Sequence, residues 1–286
     1  MEMLNIDGHT KQLGIIGNPV EHSFSPRMHN FISEITGNNY VYSAWCVEDV
    51  ENAIKGVRAL GIRGINVTAP HKIEVMKYLD EIDEKAKILG SVNTVVNTNG
   101  HLKGYNTDAE GFYMSLVKSG VEVKGKKILA IGAGGVVQPT LMRLALEAPK
   151  SITLVNRTQS KTEPIKRLIA ERTGYEISTS LTDTDFDIVI NTTSAGMAPQ
   201  LDALPTDAIP ELGGLDFIKP GAAVTDMIYN PEETLFLREA KKRGAITING
   251  LGMLIYQGII AYELFTGTKL ADDMYDKIKK EIFKGD

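Results

Sequence analysis

The chain has 286 residues, more than one hydrophobic core comfortably serves, so two domains are expected. Hydrophobic residues make up 43% and charged residues 23%, an ordinary balance for a chain that buries real cores, and a net charge of -5 argues against nucleic acid as the main partner. One cysteine, Cys46, excludes an intrachain disulfide and a multi-cysteine metal site, and no window approaches the roughly 20 apolar residues of a membrane span. With no apolar leader in MEMLNIDGHT, the expected location is the cytoplasm.

Short apolar runs alternate with amphipathic stretches along the whole chain, the pattern of βα units around a mostly parallel sheet, so the fold class is α/β. Strands are predicted near residues 13–16, 40–47, 64–67, 127–131, 152–156, 188–191, 224–226 and 246–248. Helices are predicted at 26–36, 50–60, 73–78, 108–119, 136–147, 161–171 and 231–243, with an apolar helix at 253–266. The polar, glycine-bearing stretch GVEVKGKK at 120–127 precedes a new βα series, so a junction lies in or just before it. A second junction is expected near residues 249–252, after which the chain returns to the first domain.

Three polar clusters interrupt the first domain. Gly17-Asn18-Pro19-Val20-Glu21-His22-Ser23-Phe24-Ser25-Pro26 joins a strand to a helix; Ser25 suits the N-cap, and Ser23 and Ser25 beside helix N–H groups suit a carboxylate. Asn66-Val67-Thr68-Ala69-Pro70-His71-Lys72 follows a strand, where open α/β sheets place ligands. Ser91-Val92-Asn93-Thr94 and Gly104-Tyr105-Asn106-Thr107-Asp108 flank an apparent hairpin, and Asp108 either caps the following helix or serves chemistry. A lysine held beside a carboxylate makes a proton-transfer pair, which Lys72 and Asp108 would form if they meet. Gln257 shares a helical face with Leu254, Ala261 and Leu264, so its buried amide needs a partner, either a ligand hydroxyl or a backbone carbonyl. His22, His29, His71 and His101 lack ligand spacing, and no metal is expected.

The second domain opens on KILAI running into Gly132-Ala133-Gly134-Gly135 and then a helix, the order of a dinucleotide-binding turn. Gly132 permits the tight turn, Gly134 the approach of pyrophosphate to backbone N–H groups, and the third fingerprint position falls on Val137. The next strand ends at Asn156-Arg157-Thr158, with Lys161 just beyond. An acidic residue there would take the 2′-hydroxyl of NAD; a guanidinium, hydroxyl and ammonium suit the 2′-phosphate of NADP instead.

In order and spacing, GNPVEHSFSPRMHN, NVTAPHK, SVNT, GYNTDAEG, GAGG, NRT, NTTSAGM, DMIYNP and NGLGMLIYQ resemble the shikimate dehydrogenase family over nearly the whole chain. The resemblance implies reversible NADPH-dependent reduction of 3-dehydroshikimate to shikimate, on the route to chorismate and the aromatic amino acids. It implies a substrate domain at 1–107 and 251–286, a Rossmann-type NADP-binding domain at 108–250, and a site in the cleft between them. Ser23, Ser25 and Tyr229 would hold the ring carboxylate; Thr68, Asn93, Asp108 and Gln257 the ring hydroxyls; Lys72 and Asp108 the proton. Met197, Met227 and Gly250 would lie along the cofactor with Gly132, Ala133, Gly134, Gly135, Asn156, Arg157, Thr158 and Lys161. The chain departs from the family at Val136, Val137, Gln138 and Pro139, where small residues and an arginine are usual, a change that bears on dinucleotide affinity. A quinate/shikimate dehydrogenase using NAD or NADP is the neighbouring expectation, and a non-catalytic nucleotide-sensing module a more distant one. The expected partner is the small substrate alone, with a monomer or homodimer.

Overall fold

The computed structural model describes residues 6–181 and 183–283, and within it the chain divides into two compact units. The first holds residues up to Asp108 and from Ile255 onward; the second runs from Ala109 to Leu254.

Six described strands form the first unit's sheet. They are β1 (Lys11–Gly17), β2 (Tyr40–Cys46), β3 (Gly64–Val67), β4 (Glu81–Ile82), β5 (Thr94–Thr98) and β6 (His101–Tyr105), in the order β2-β1-β3-β5-β6-β4. β1 runs parallel to both β2 and β3, whereas β5 is antiparallel to β3 and β6. Because β6 reverses again and β4 runs parallel to it, β5 alone opposes the rest, so the expectation of a mostly parallel sheet holds and the apparent hairpin of the sequence supplies the one reversed strand. Helix α1 (Ser25–Thr36) follows β1, α2 (Val50–Ala59) follows β2, and α3 (Glu84–Leu89), absent from the sequence reading, precedes β5. Ile65, Val67, Val95 and Leu102 of β3, β5 and β6 pack with Ile54 and Val57 of α2, all nearly inaccessible, and their burial stabilises this side of the sheet.

Several local expectations are corrected. Residues 73–78 form a 3₁₀ turn, Glu74–Tyr78, instead of an α-helix. Ser25 does not cap α1: Phe24 holds that position, and the Ser23 hydroxyl accepts the Ser25 N–H at 3.2 Å. At the sheet's free edge, Asn30 of α1 donates from Nδ2 to the Tyr42 carbonyl at 2.9 Å and accepts the Tyr42 N–H at 2.8 Å. His29, beside it, is fully buried and stacks on Tyr42 at 4.3 Å between ring centres. Neither of its ring nitrogens has a partner among the described residues, and burial pushes its pKa down to about 3.

The second unit contains helix α4 (Thr107–Lys118) from Ala109 onward, then β7 (Lys127–Ile131), α5 (Val137–Ala145), β8 (Ser151–Val155), α6 (Thr162–Thr173), β9 (Phe186–Asn191), β10 (Ile218–Asp226), α7 (Leu235–Lys242) and β11 (Ile246–Ile248). Its five described strands are all parallel, in the order β11-β10-β9-β7-β8. A right-handed crossover helix is the usual way to join such strands. The helix expected at 231–243 starts only at Leu235, because the Thr234 side chain caps it by accepting the Leu237 N–H. Helix α8 (Leu251–Thr266) contains Leu254 and Ile255, on either side of the unit boundary, and α9 (Met274–Ile282), not foreseen, ends the described chain.

Candidate active site

In the first unit, the polar clusters sit past the carboxyl ends of β1 and β3. Thr68 continues β3 and donates its N–H to Ile16 of β1 at 2.9 Å. His71 anchors the turn that follows, its Nε2 lying 2.7 Å from the Val47 carbonyl. The turn presents Lys72, whose Nζ donates to Asp108 Oδ2 at 2.6 Å. Asp108 lies in the first turn of α4 and pairs with a side chain 36 residues away. The lysine side chain keeps 31% of its accessible surface and the carboxylate 20%. A pair that open can reach both a ligand and a proton source.

Behind the pair lies a buried neutral network. Asn93 Oδ1 accepts the Thr107 N–H at 2.7 Å, and Asn93 Nδ2 donates to the Thr107 hydroxyl at 3.0 Å. This fixes the residue next to Asp108. Asn66 donates to Thr94 Oγ1 at 3.0 Å and accepts the Tyr42 phenol at 2.7 Å, continuing the network across β3 and β2. The Ser25 hydroxyl reaches the same phenol, and burial raises the Tyr42 pKa well above its ordinary value, so the phenol remains a donor. Ser23 is half-buried, Ser25 and Asn93 are buried, and Gln257 is buried on α8. Tyr42 escaped the sequence reading, since a tyrosine inside an apolar strand reads as an ordinary strand residue.

In the second unit, β7 delivers Gly132 with φ +114°, where a Cβ would lie 2.6 Å from Thr192 Oγ1. Only glycine meets both constraints. Gly135 faces open space, and the Val137 N–H at the start of α5 donates back to the Gly134 carbonyl at 3.1 Å. Ala133, Gly134, Gly135, Gln138 and Lys161 line an open cavity of about 400 Å³. A cavity with glycine backbone and a helix N-terminus on one side and a lysine on the other fits a pyrophosphate. Val137 is fully buried, so the third fingerprint position packs a branched side chain where glycine or alanine is usual. Pro139 is the third helical residue, a place where no intrahelical acceptor waits for an N–H. Arg157, Thr158 and Lys161 are exposed, and Asn156 closes their turn by donating to the Thr158 carbonyl at 2.8 Å. Met197 and Tyr229 are exposed, while Met227 lies against Gly250, where a Cβ would come within 2.3 Å of the Met227 carbonyl oxygen.

Comparison with known proteins gives the same picture. Residues 15–95 match the family described as "Shikimate dehydrogenase substrate binding domain", residues 115–199 "Shikimate / quinate 5-dehydrogenase", and residues 250–279 "Shikimate 5'-dehydrogenase C-terminal domain". The chain is 45% identical over 271 residues to a shikimate dehydrogenase (NADP(+)) of Methanococcus aeolicus, covering 92% of this chain and 95% of that one. The chain belongs to the shikimate dehydrogenase family. A solved shikimate dehydrogenase in complex with NADP+ superposes with a TM-score of 0.86 at 43% identity, covering 97% of each chain. A shikimate 5-dehydrogenase of Listeria monocytogenes, in complex with shikimate and NAD, superposes at 0.88 with 34% identity over 96% of this chain and 97% of that one. Within the family's architecture, the first unit carries the substrate-binding domain and the second the Rossmann-like NADP-binding domain.

Proposed function

We propose that this protein is a shikimate dehydrogenase that reversibly reduces 3-dehydroshikimate to shikimate with NADPH, and that Lys72 and Asp108 are its acid–base pair. The 2.6 Å contact between these two side chains, past the carboxyl end of β3 in a mostly parallel sheet of a member of this family, carries the reading. NADPH supplies the hydride to the ring carbonyl carbon. Lys72 gives a proton from Nζ to the carbonyl oxygen and takes it back in the oxidation direction. Asp108 accepts a hydrogen bond from Nζ, which holds the ammonium in place and stabilises its charged form.

Ser23 and Ser25 donate their hydroxyl hydrogens to the ring carboxylate, with Tyr229 as a further donor. Thr68 and Gln257 bind ring hydroxyls. One Asn93 Nδ2 hydrogen already goes to Thr107, which leaves the other for a substrate oxygen, so Asn93 serves as a donor. Gly132, Ala133, Gly134 and Gly135 receive the pyrophosphate; Asn156, Arg157, Thr158 and Lys161 hold the 2′-phosphate; Met197, Met227 and Gly250 flank the nicotinamide. The domains run 1–107 with 251–286, and 108–250. The protein acts in the cytoplasm as a monomer or homodimer, and among the described residues no helix is long and apolar enough to cross a membrane.

Nicotinamide absorbance followed with shikimate or quinate, each with NADP+ or NAD+, tests this reading. Shikimate with NADP+ is the expected best pair. Preference for quinate with NAD+ would move the protein to the neighbouring branch, and dinucleotide binding without turnover of either acid would leave only the sensing module.

A further inference from the structure

Asp226, which ends β10, is a fully buried carboxylate whose hydrogen-bond donors are all neutral. Asn191 Nδ2 donates to both of its oxygens at 3.1 Å, the Ile228 N–H donates at 3.0 Å, and the Thr234 hydroxyl at 2.8 Å. Burial pushes the carboxyl up from its ordinary value, while these donors pull it down. A carboxylate buried without a cation is an expensive way to end an apolar strand. Its donors come from three separate segments.

Asn191 ends β9 and opens the loop that reaches Met197. Its Oδ1 accepts the Thr193 N–H at 2.9 Å and hydroxyl at 2.8 Å, its Nδ2 also reaches the Ala195 carbonyl at 3.3 Å, and its own carbonyl accepts the Met227 N–H at 3.1 Å. Ile228 follows Met227 directly, and its carbonyl accepts the Gly250 N–H at 2.9 Å. Thr234 caps α7, and its Cβ would be met at 3.0 Å by a side chain on Gly196, the neighbour of Met197. The carboxylate therefore sits beneath both methionine-bearing segments and fixes each through one intermediary.

We infer that Asp226 is a positioning residue for the nicotinamide half of the dinucleotide site, acting through Asn191 on the 192–197 loop and through Ile228 on the Met227 peptide. The inference rests on the NADP reading above. The hydrogen-bond partners of Asp226, namely Asn191, Ile228 and Thr234, all belong to the second unit.

Isothermal titration of Asp226→Asn with two probes tests it: NADP+, and adenosine 2′,5′-bisphosphate, which carries the adenosine and 2′-phosphate but no nicotinamide. The amide turns one acceptor into a donor facing donors, so NADP+ affinity should fall about tenfold or more while the bisphosphate changes by less than about twofold. Equal losses for both probes would make Asp226 a purely structural residue, and no loss for either would remove its role; both outcomes overturn the inference. Thr234→Val keeps the shape and removes one donor, and should shift the same ratio in the same direction by a smaller factor. If Asp226→Asn does not fold, the ratio for Thr234→Val decides: an unchanged ratio rejects the inference. Wild-type protein that binds neither probe would reject the NADP reading itself, a result visible before any variant is compared.

Discussion

The Lys72–Asp108 turn and the Gly132–Gly135 turn both lie past the carboxyl ends of parallel strands, yet they are built from opposite materials. The first is made of side chains: a half-open ion pair seated on a buried lattice of Asn93, Thr107, Thr94 and Asn66. The second is made of backbone, with side chains excluded at Gly132 by geometry and withheld at Gly135. Chemistry needs a group that gives and takes a proton, which only a side chain supplies, whereas a pyrophosphate needs N–H groups that every residue has and few can bring close enough. Substitutions should therefore act on rate in one region and on affinity in the other.

The largest break in this contrast is Lys72→Ala. Loss of the proton donor should lower kcat by about 10²- to 10⁴-fold while shikimate still binds, measured by steady-state kinetics beside direct titration of shikimate. A change confined to KM would make Lys72 a binding residue and erase the distinction. Gly132→Val should do the reverse. A branched residue at φ +114°, pressed on Thr192, adds strain of about 1–3 kcal/mol or more, and NADP+ affinity should drop with shikimate affinity unchanged.

A third measurement sharpens the comparison through pH. His29 belongs to the first unit, and its folded-state pKa of about 3 lies below the ordinary 6.5. Between those values the unfolded chain binds the proton and the folded chain does not, so the stabilisation is present above about 6.5 and is lost as pH falls. From pH 7 to 5 the loss should be about 2 kcal/mol, read as a falling Tm that His29→Leu flattens. Asp80, held down to about 2 first by its hydrogen bond from Arg58 and then by the Leu102 N–H, adds to the loss only below about pH 4. The smallest effect is expected at Arg157→Asp, an exposed site: the NADP-to-NAD preference should fall by about tenfold, and an unchanged ratio in coupled assays would reject the 2′-phosphate assignment.

How much of this was legible in the sequence follows from the range of each interaction. The second unit's strands and its glycine turn are local patterns, a short apolar run and a fixed succession of strand, turn and helix, and they lie within two residues of where the sequence places them except for β10, which starts six residues early across the polar Lys219-Pro220-Gly221 stretch. The hairpin β5–β6 was legible as an apparent hairpin between polar clusters, and Asn99 and Gly100, at φ 52° and 88°, form the left-handed pair such turns favour. Helix α7 starts late because Thr234 answers to Asp226 as well as to its own helix, a tie no periodicity reveals. The same holds for the buried polar residues. Asn191 and Asp226 each close an apolar run at a strand's carboxyl end, and that pattern is the one signal that marks them in advance.

Asn30 carries a consequence for life in a crowded solution. A strand at the rim of a sheet offers its unpaired peptide groups to any passing chain, and β2 is seven residues of aromatic and small side chains. By occupying the outward N–H and carbonyl of Tyr42 at the middle of that strand, one amide does the work of an absent neighbour. At its centre the rim therefore offers no free peptide pair on which a passing strand could template itself.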